Sequence, residues 1–360
     1  PCSGSDGVSL MLAPQKVTLD ELPRLNHGDR PEAEFKQTPQ DFQVIEQLDV
    51  PDDGEGEHQW LWVRKEGANT NFCAEKIASF AGVSVKNVSY SGLKDRQAVT
   101  WQWFSVQLPG KETLNWQELN DEEMSVERVI RRTKKLKSGF HDGNRFVIRL
   151  GGVSSPQRLE ALWKSVTEKG VINYFGEQRF GRNGDNVAQA ERWLMASRPA
   201  RISRNKRSLY LSSLRSYLFN QIVAERLRQF GPGGTLAGDC VMLKGSQSVF
   251  TVEQWDDELR QRFANNDIYL TAPLVGTTNK PLVKDEAEAF ESSLLEPYEN
   301  WLEALRKLRV DAARRSTLLR VKEPELSWHG KDAELRFTLP SGAYATTVLN
   351  EIVDLSGESR

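Results

Sequence analysis

Residues 90–98, with the sequence YSGLKDRQA, carry side chains that could perform a reaction. Asp95 lies between Lys94 and Arg96, and cations within a few ångströms would lower the pKa of its carboxyl below the usual ~3.9. A fully ionised carboxylate suits a nucleophile better than a general acid. The same residues could instead form a charged turn with an Asx-type hydrogen bond, so the spacing alone leaves a catalytic and a structural interpretation open.

Other reactive residues lack the spacing of a known site. Four histidines and three cysteines are scattered along the chain: His27, His58, His141, His329, Cys2, Cys73 and Cys240. They form no HxxxH, HxH or CxxC pattern, so we expect no metal site and no disulfide framework. GxSxG, GxxxxGK(S/T) and GxGxxG patterns are absent as well, which argues against the simplest hydrolases, nucleotide hydrolases and dinucleotide enzymes.

Charge is unevenly distributed although the net charge is only −2. Residues 128–149 contain eight Lys or Arg and one acid, and residues 179–228 contain eleven Lys or Arg and three acids. Residues 46–57 contain six acids and no basic residue. Two arginine-rich blocks in an otherwise acidic chain favour a surface for a polyanion, and a nucleic-acid backbone is the obvious candidate.

Composition indicates a globular protein of two domains, because the chain has 360 residues, 38% hydrophobic and 27% charged. No apolar run approaches the ~20 residues of a membrane-spanning helix and no signal segment opens the chain, so we expect a cytoplasmic protein.

The coarse pattern predicts mixed α and β elements without a regular βαβ rhythm. We expect strands at 41–48, 58–64, 100–108 and 145–150, helices at 70–81, 156–169, 185–197 and 212–230, and a helix-rich stretch to about residue 319. The last forty residues return to a strand, a turn at 340–342 and a helix at 343–353.

Two long motifs resemble the TruD family of tRNA pseudouridine synthases. They are GLKDRQA at 92–98 and NYFGEQRFG at 173–181, and neither is a short generic pattern. Further segments match in the same order: 36–42, GEGEH at 54–58, GNRF at 143–146, LSSLRSYLFN at 211–220 and LPSGAYAT at 339–346. The resemblance covers about residues 30–353.

The resemblance implies an α+β fold with a V-shaped two-domain architecture. The pseudouridine synthase domain would have a mixed, mainly antiparallel sheet with flanking helices, and it would be discontinuous, formed by residues 31–170 and 318–360. An inserted, mainly helical α/β TRUD domain would occupy 171–317. Residues 1–30 are interpreted as an N-terminal extension, either a tag or a disordered segment.

The resemblance also implies an isomerase that converts a uridine in tRNA, typically position 13 in the D arm, to pseudouridine without cofactor or metal. The family's catalytic aspartate corresponds to Asp95. Its carboxylate could attack C1′, add to C6 of the ring, or remove a proton to give a glycal, and the sequence leaves these routes open. The family's basic partner corresponds to Lys36, which we rank above Lys94.

A target base in folded RNA must be extruded and held by stacking and hydrogen bonds. The family positions that line the uracil pocket correspond to Phe42, Asn144, Phe146 and Tyr344. The family usually has phenylalanine at the last position, so the hydroxyl of Tyr344 adds a donor. Each aromatic residue could also serve only the core.

Basic residues near the motifs are assigned to RNA contacts: Arg96, Arg131, Arg132, Lys134, Arg179 and Arg182. Arg179 could equally support the cleft. The expected partner is tRNA, with no membrane and no protein partner, and we expect a monomer. Two alternatives remain: a non-catalytic RNA-binding protein or RNA chaperone using the same basic cleft, and a metal-dependent hydrolase or phosphotransferase using Asp95.

Overall fold

The computed structural model describes residues 12–181, 183–196 and 200–356, which divide into two compact units. The sheet unit contains residues 28–170, 320–345 and 351–356. The second unit contains the described residues of 12–27, 171–319 and 346–350. Residues 12–27 belong to the segment interpreted as an extension, and Ala13, Val17, Leu19 and Leu22 are buried there. Residues 1–11 lie outside the described chain.

The sheet unit is built on one large, mainly antiparallel sheet. Its strands are β1 Glu32–Phe35, β2 Phe42–Gln47, β3 His58–Glu66, β4 Val88–Tyr90, β5 Val99–Gln107, β6 Met124–Arg132, β7 Gly143–Gly151, β14 Lys322–His329, β15 Asp332–Pro340 and β16 Asp354–Ser356. The central order is β14-β15-β7-β2-β5-β3-β6, with β1 beside β7 and β16, and β4 beside β5. β2 runs parallel to β5, whereas β7 runs antiparallel to β2 and β15.

Two helices in this unit begin and end where the sequence predicts. α1, Thr70–Ala81, begins after Asn69, whose side chain accepts a hydrogen bond from the Phe72 amide, and ends at Gly82 in the left-handed conformation. α2, Pro156–Lys169, begins with proline and ends before Gly170. The predicted strands at 58–64 and 145–150 are also confirmed, inside β3 and β7.

The core of the sheet unit is formed by side chains that point inward from alternating positions of its strands. The inward residues of β3 and β5, including Leu61, Val63 and Phe104, pack with the buried face of α1. Trp163 of α2 contacts Phe337 of β15, with ring centroids 5.7 Å apart. Each helix therefore contributes an apolar face to a different part of the sheet unit.

The second unit contains helices and a smaller sheet. Its elements are β8 Val171–Ile172, α3 Asn186–Met195, α4 Arg204–Phe230, β9 Asp239–Leu243, β10 Val249–Val252, α5 Asp257–Ala264, β11 Ile268–Leu274, α6 Asp285–Leu295, α7 Glu299–Lys307, β12 Ala313–Ser316 and β13 Leu318–Leu319. Strands β10-β9-β11-β12 form a sheet and β13 pairs with β8. Helix α8, Ala345–Ile352, has residues in both units.

The sequence predicted this unit less completely. The helix predicted over 212–230 begins at Arg204, because Ser203 caps it by accepting a hydrogen bond from the Lys206 amide at 3.2 Å. The stretch predicted as helix-rich also holds the four-stranded sheet. The coarser expectation, a mixed α+β protein with mainly antiparallel sheets, is confirmed.

Candidate active site

Asp95 lies in the segment between β4 and β5, with its carboxylate partly exposed. One oxygen, Oδ1, accepts a hydrogen bond from the Gln97 amide at 3.0 Å, which is the Asx-type bond expected of such a turn. The other oxygen, Oδ2, lies 3.2 Å from Lys36 Nζ. The Asp95 side chain retains 26% exposure, so a substrate can reach it.

Lys36 follows β1 and reaches Asp95 from a distant part of the sequence. Its backbone adopts φ 56°, the left-handed region that side chains rarely occupy. Its ammonium also lies 4.7 Å from the ring centroid of Phe42 and 5.1 Å from that of Phe35. The strained backbone and two aromatic contacts therefore hold the ammonium beside Asp95.

The sequence neighbours of Asp95 contact partners other than its carboxylate. Lys94 Nζ lies 3.2 Å from Glu46 Oε2, and Arg96 Nε donates to the Gly67 carbonyl at 2.9 Å. The cation that contacts the Asp95 carboxylate is Lys36, from another strand.

Lys65 supports the backbone of the catalytic segment, and the sequence analysis missed it. Its fully buried ammonium donates to the carbonyls of Ala68 at 2.8 Å and Asp95 at 3.0 Å. Burial lowers the Lys65 pKa to about 8. A signal existed: Lys65 continues the inward alternation of Leu61 and Val63, and a cation at such a position requires buried acceptors.

Phe42 and Phe146 form part of a row of aromatic rings across β2, β7 and β15. The two rings are stacked, with centroids 6.1 Å apart and planes 12° from parallel. Phe146 also contacts Phe337 at 5.5 Å. Phe146 therefore lies between two other rings of the core, whereas Phe42 also borders the Lys36 ammonium.

Asn144, the second residue of β7, contacts Lys94, which also contacts Glu46. The sequence analysis did not predict this hydrogen-bond network. Asn144 Oδ1 accepts a hydrogen bond from Lys94 Nζ at 2.6 Å. Glu46, the fifth residue of β2, lies on the buried side of the strand, and its side chain has 0% exposure. An acid at an inward strand position is the signal that could have found this network, because a buried carboxylate requires donors. Tyr344 is half-buried just before α8.

The residues of the sheet unit that are assigned to RNA binding differ in how far their side chains are already engaged by other groups of the protein. Arg131 donates to the carbonyls of Gly56 and Lys111, and Arg132 pairs with Asp53 at 3.0 Å. The Arg132–Asp53 ion pair thus joins the basic block at 128–149 to the acidic stretch at 46–57. The side chains of Arg96 and Lys134 are exposed. RNA contacts by Arg131 and Arg132 would require them to leave their present partners.

In the second unit, Arg179 donates to Ser212 Oγ at 3.3 Å and lies 5.4 Å from the ring centroid of Phe175. This arrangement ties the NYFGEQRFG segment to α4. Arg182 lies outside the described residues.

The described residues hold no cluster of three or more His, Cys, Asp or Glu that could bind a metal ion. Among the same residues, no helix has the length and apolar character needed to cross a membrane.

Comparison with known proteins agrees with these features. The family model of tRNA pseudouridine synthase D (TruD) matches residues 26–190 and 186–352. The chain is 83% identical to tRNA pseudouridine synthase D of Idiomarina loihiensis over 350 residues, 97% of this chain and 100% of that protein. It is 42% identical to the Aeromonas hydrophila protein of the same name over 337 residues, 93% of this chain and 94% of the relative.

A solved structure shows the same fold. The putative tRNA pseudouridine synthase D from Methanosarcina mazei matches with a TM-score of 0.67, covering 93% of this chain and 95% of that one. At 21% sequence identity, this match supports the fold alone.

Proposed function

Because the chain belongs to the tRNA pseudouridine synthase D family, isomerases that convert uridine in tRNA to pseudouridine, we propose that Asp95 is the carboxylate that begins this reaction. The observation that carries the proposal is the pair of Asp95 Oδ2 and Lys36 Nζ, 3.2 Å apart in a segment open to solvent. The ammonium places a positive charge beside the carboxylate, and the partial exposure leaves the carboxylate accessible.

The isomerisation breaks the C1′–N1 bond, turns the uracil and forms a C1′–C5 bond; C5 loses its proton to solvent and N1 gains one. The Asp95 carboxylate could attack C1′, add to C6, or remove a ribose proton to form a glycal. All three routes start from the carboxylate, with the Lys36 ammonium beside it. Lys65 holds the Asp95 backbone and thereby fixes the position of the carboxylate.

We assign the uracil pocket to Phe42, Asn144 and Tyr344. Phe42 lies next to the Asp95–Lys36 pair through its contact with the Lys36 ammonium, and because it is only 3% exposed we expect it to form the wall of the pocket beside the carboxylate. Tyr344 is half-buried and is the ring we expect to stack on the base, which contributes about 1–3 kcal/mol per base. Phe146 stacks on Phe42 and supports it from within the sheet unit.

The tRNA backbone is assigned to exposed cations, principally Arg96 and Lys134, with Arg179 in the second unit. Arg131, Arg132 and Arg182 stay in the predicted set. Phosphate contacts release counterions, so binding should weaken steeply as salt rises.

The finer features are part of the same proposal. The target is uridine 13 in the D arm, and the enzyme acts as a monomer in the cytoplasm without a protein partner. The V-shaped arrangement of the two domains stays a prediction, which small-angle X-ray scattering can test. Sequencing of modified positions in treated tRNA tests the target, and analytical ultracentrifugation tests the monomer.

Tritium release from tRNA labelled at C5 of uridine tests the activity and the catalytic residue together. In metal-free buffer, the wild type and the control Asp20→Asn, an exposed site in the second unit, should release tritium, and Asp95→Asn should not. Release by Asp95→Asn would reject Asp95 as the catalytic carboxylate. No release by the wild type, with tRNA still bound, would favour a non-catalytic RNA-binding protein.

A further inference from the structure

The Asn144 amide is held in one orientation by a buried cation. Lys94 Nζ lies 2.6 Å from the side-chain oxygen of Asn144. An ammonium can only donate, so the amide atom that faces it must be the oxygen. Within the described part of the chain, the Asn144 nitrogen donates to no protein acceptor, and its two N–H groups remain available to a ligand.

Lys94 is itself fixed by a saturated carboxylate. Besides Lys94, Glu46 accepts hydrogen bonds from Ser91 Oγ at 2.8 Å and from the Trp103 amide at 3.1 Å. Its side chain has 0% exposure, and that of Lys94 has 5%. These hydrogen bonds hold the Glu46 carboxylate in place. Lys94, which is paired with this carboxylate, is thereby held where its ammonium reaches Asn144.

His141 completes the network in one protonation state. Ser91 gives its only proton to Glu46, so its oxygen accepts from His141 Nδ1–H at 2.8 Å. His141 Nε2 lies 3.2 Å from Ser341 Oγ, which donates to it. Burial and the nearby Lys94 lower the His141 pKa, which favours the neutral ring that these bonds require.

We propose that Lys94, held by Glu46, is a positioning residue that makes Asn144 present its NH₂ group to the O4 position of the substrate uracil. The inference rests on the proposed function, in which Asn144 contacts the base. It assigns a task to a lysine that does not contact the Asp95 carboxylate although it precedes Asp95 in the sequence.

The reaction itself explains why a donor is useful at that position. To bring C5 to the place of N1, the detached uracil can make a half-turn about its N3–C6 line or rotate in its own plane by a third of a turn. In either case O2 moves to the place that O4 occupied. One fixed donor therefore binds a carbonyl oxygen before and after the rotation, and no pocket side chain has to move.

The same orientation selects uridine against cytidine. Cytosine has an amino group where uracil has O4, so two donors would face each other. If Asn144 could turn over, its oxygen would accept from that amino group, and discrimination would fall. Lys94 prevents this by occupying the amide oxygen.

A double-mutant cycle between Lys94→Met and Asn144→Ala tests the inference, with single-turnover rates on tRNA as the readout. Lys94→Met should slow the rate about 10- to 100-fold without changing the Kd for tRNA, and it should change the rate less than 2-fold when Asn144 is already alanine. An equal loss in both backgrounds would show a merely structural role and overturn the inference, as would a wild-type rate for Lys94→Met.

Folding and substrate controls keep the outcomes separate. Lys94→Met leaves Glu46 unpaired, so the double variant Glu46→Gln/Lys94→Met, which removes both charges, should show the same loss of rate with a native circular dichroism spectrum. A normal rate in this folded variant would overturn the inference. If the wild type itself were inactive, the proposed function would fail; an active wild type with an unaffected Lys94→Met rejects only the inference.

tRNA with 4-thiouridine at the target position tests which carbonyl is bound. Sulfur is a weaker acceptor than oxygen, so this substrate should slow the wild type more than it slows Lys94→Met. Equal slowing of the two proteins would reject the assignment to O4.

Discussion

Two lysine–carboxylate pairs of the sheet unit have the same separation and different surroundings. Lys36 and Asp95 are 3.2 Å apart with side chains 12% and 26% exposed, and Lys94 and Glu46 are also 3.2 Å apart but 5% and 0% exposed. The Glu46 carboxylate is saturated by donors, whereas that of Asp95 keeps an open side. The two pairs therefore differ in the exposure of their side chains and not in their separation. The exposed pair is suited to react with a substrate, and the buried pair is suited to hold neighbouring side chains in position.

The buried pair should dominate stability. Glu46→Ala leaves Lys94 buried without a counter-charge, which should lower the free energy of unfolding by about 3–5 kcal/mol. Urea denaturation followed by circular dichroism measures the loss. A loss below about 1 kcal/mol would mean that the two pairs do not differ as their burial indicates.

The accessible pair should dominate the rate. Lys36→Met should lower kcat for pseudouridine formation about 100-fold, because one charge that stabilises the catalytic anion is removed. Its unfolding free energy should change by less than about 1 kcal/mol, since water can solvate the exposed Asp95. A stability loss as large as that of Glu46→Ala would contradict this division. Lys36→Arg, which keeps the charge, serves as the control.

Lys65, which donates a hydrogen bond to the Asp95 carbonyl, should make the free energy of unfolding depend on pH. Its pKa is about 8 in the folded chain and 10.5 when unperturbed, so above pH 8 the unfolded chain binds more protons. The free energy of unfolding should therefore rise by about 1 kcal/mol from this group between pH 8 and 9. Denaturation of the wild type and Lys65→Met at both pH values measures it, and identical slopes would refute the expectation. Above pH 9, Cys73, whose pKa burial raises to about 11, contributes the opposite trend.

The pair of Arg145 and Glu325, which is more exposed than the other two pairs, should have the smallest effect. Arg145 and Glu325 are 3.2 Å apart with side chains 35% and 56% exposed. Glu325→Gln should change the free energy of unfolding by less than about 1 kcal/mol. Thermal denaturation at low and high salt checks this, and a larger loss would show that burial does not rank these pairs.

Local signals explain which elements the sequence predicted well. α1 was predicted at both ends because an apolar periodicity stops at Gly82, which adopts the left-handed conformation. α4 was predicted too short because most of residues 204–209 are exposed and polar, and show no apolar stripe. The sheet of the second unit was missed because its strands are short and lie among helices, and because β11 pairs with β9 and β12 across longer stretches of sequence.

The site was predictable only in part. The GLKDRQA motif identified Asp95, but its contact with Lys36 joins residues 59 apart, which no spacing rule reveals. The resemblance supplied that partner. Lys65 and Glu46 were missed because their roles depend on burial. A charged residue at a strand position that faces the core nevertheless indicates a buried hydrogen-bond network.

The interrupted sheet also has a consequence for synthesis on the ribosome. β7 ends at Gly151, but β15, which pairs with it from Gly143 to Leu150, begins at Asp332. At about 5–20 residues per second, roughly 9–36 s separate these strands. The described elements from β8 to β13 are all made within that interval. An edge of β7 thus stays open in the nascent chain, where a second strand edge could pair with it and start aggregation.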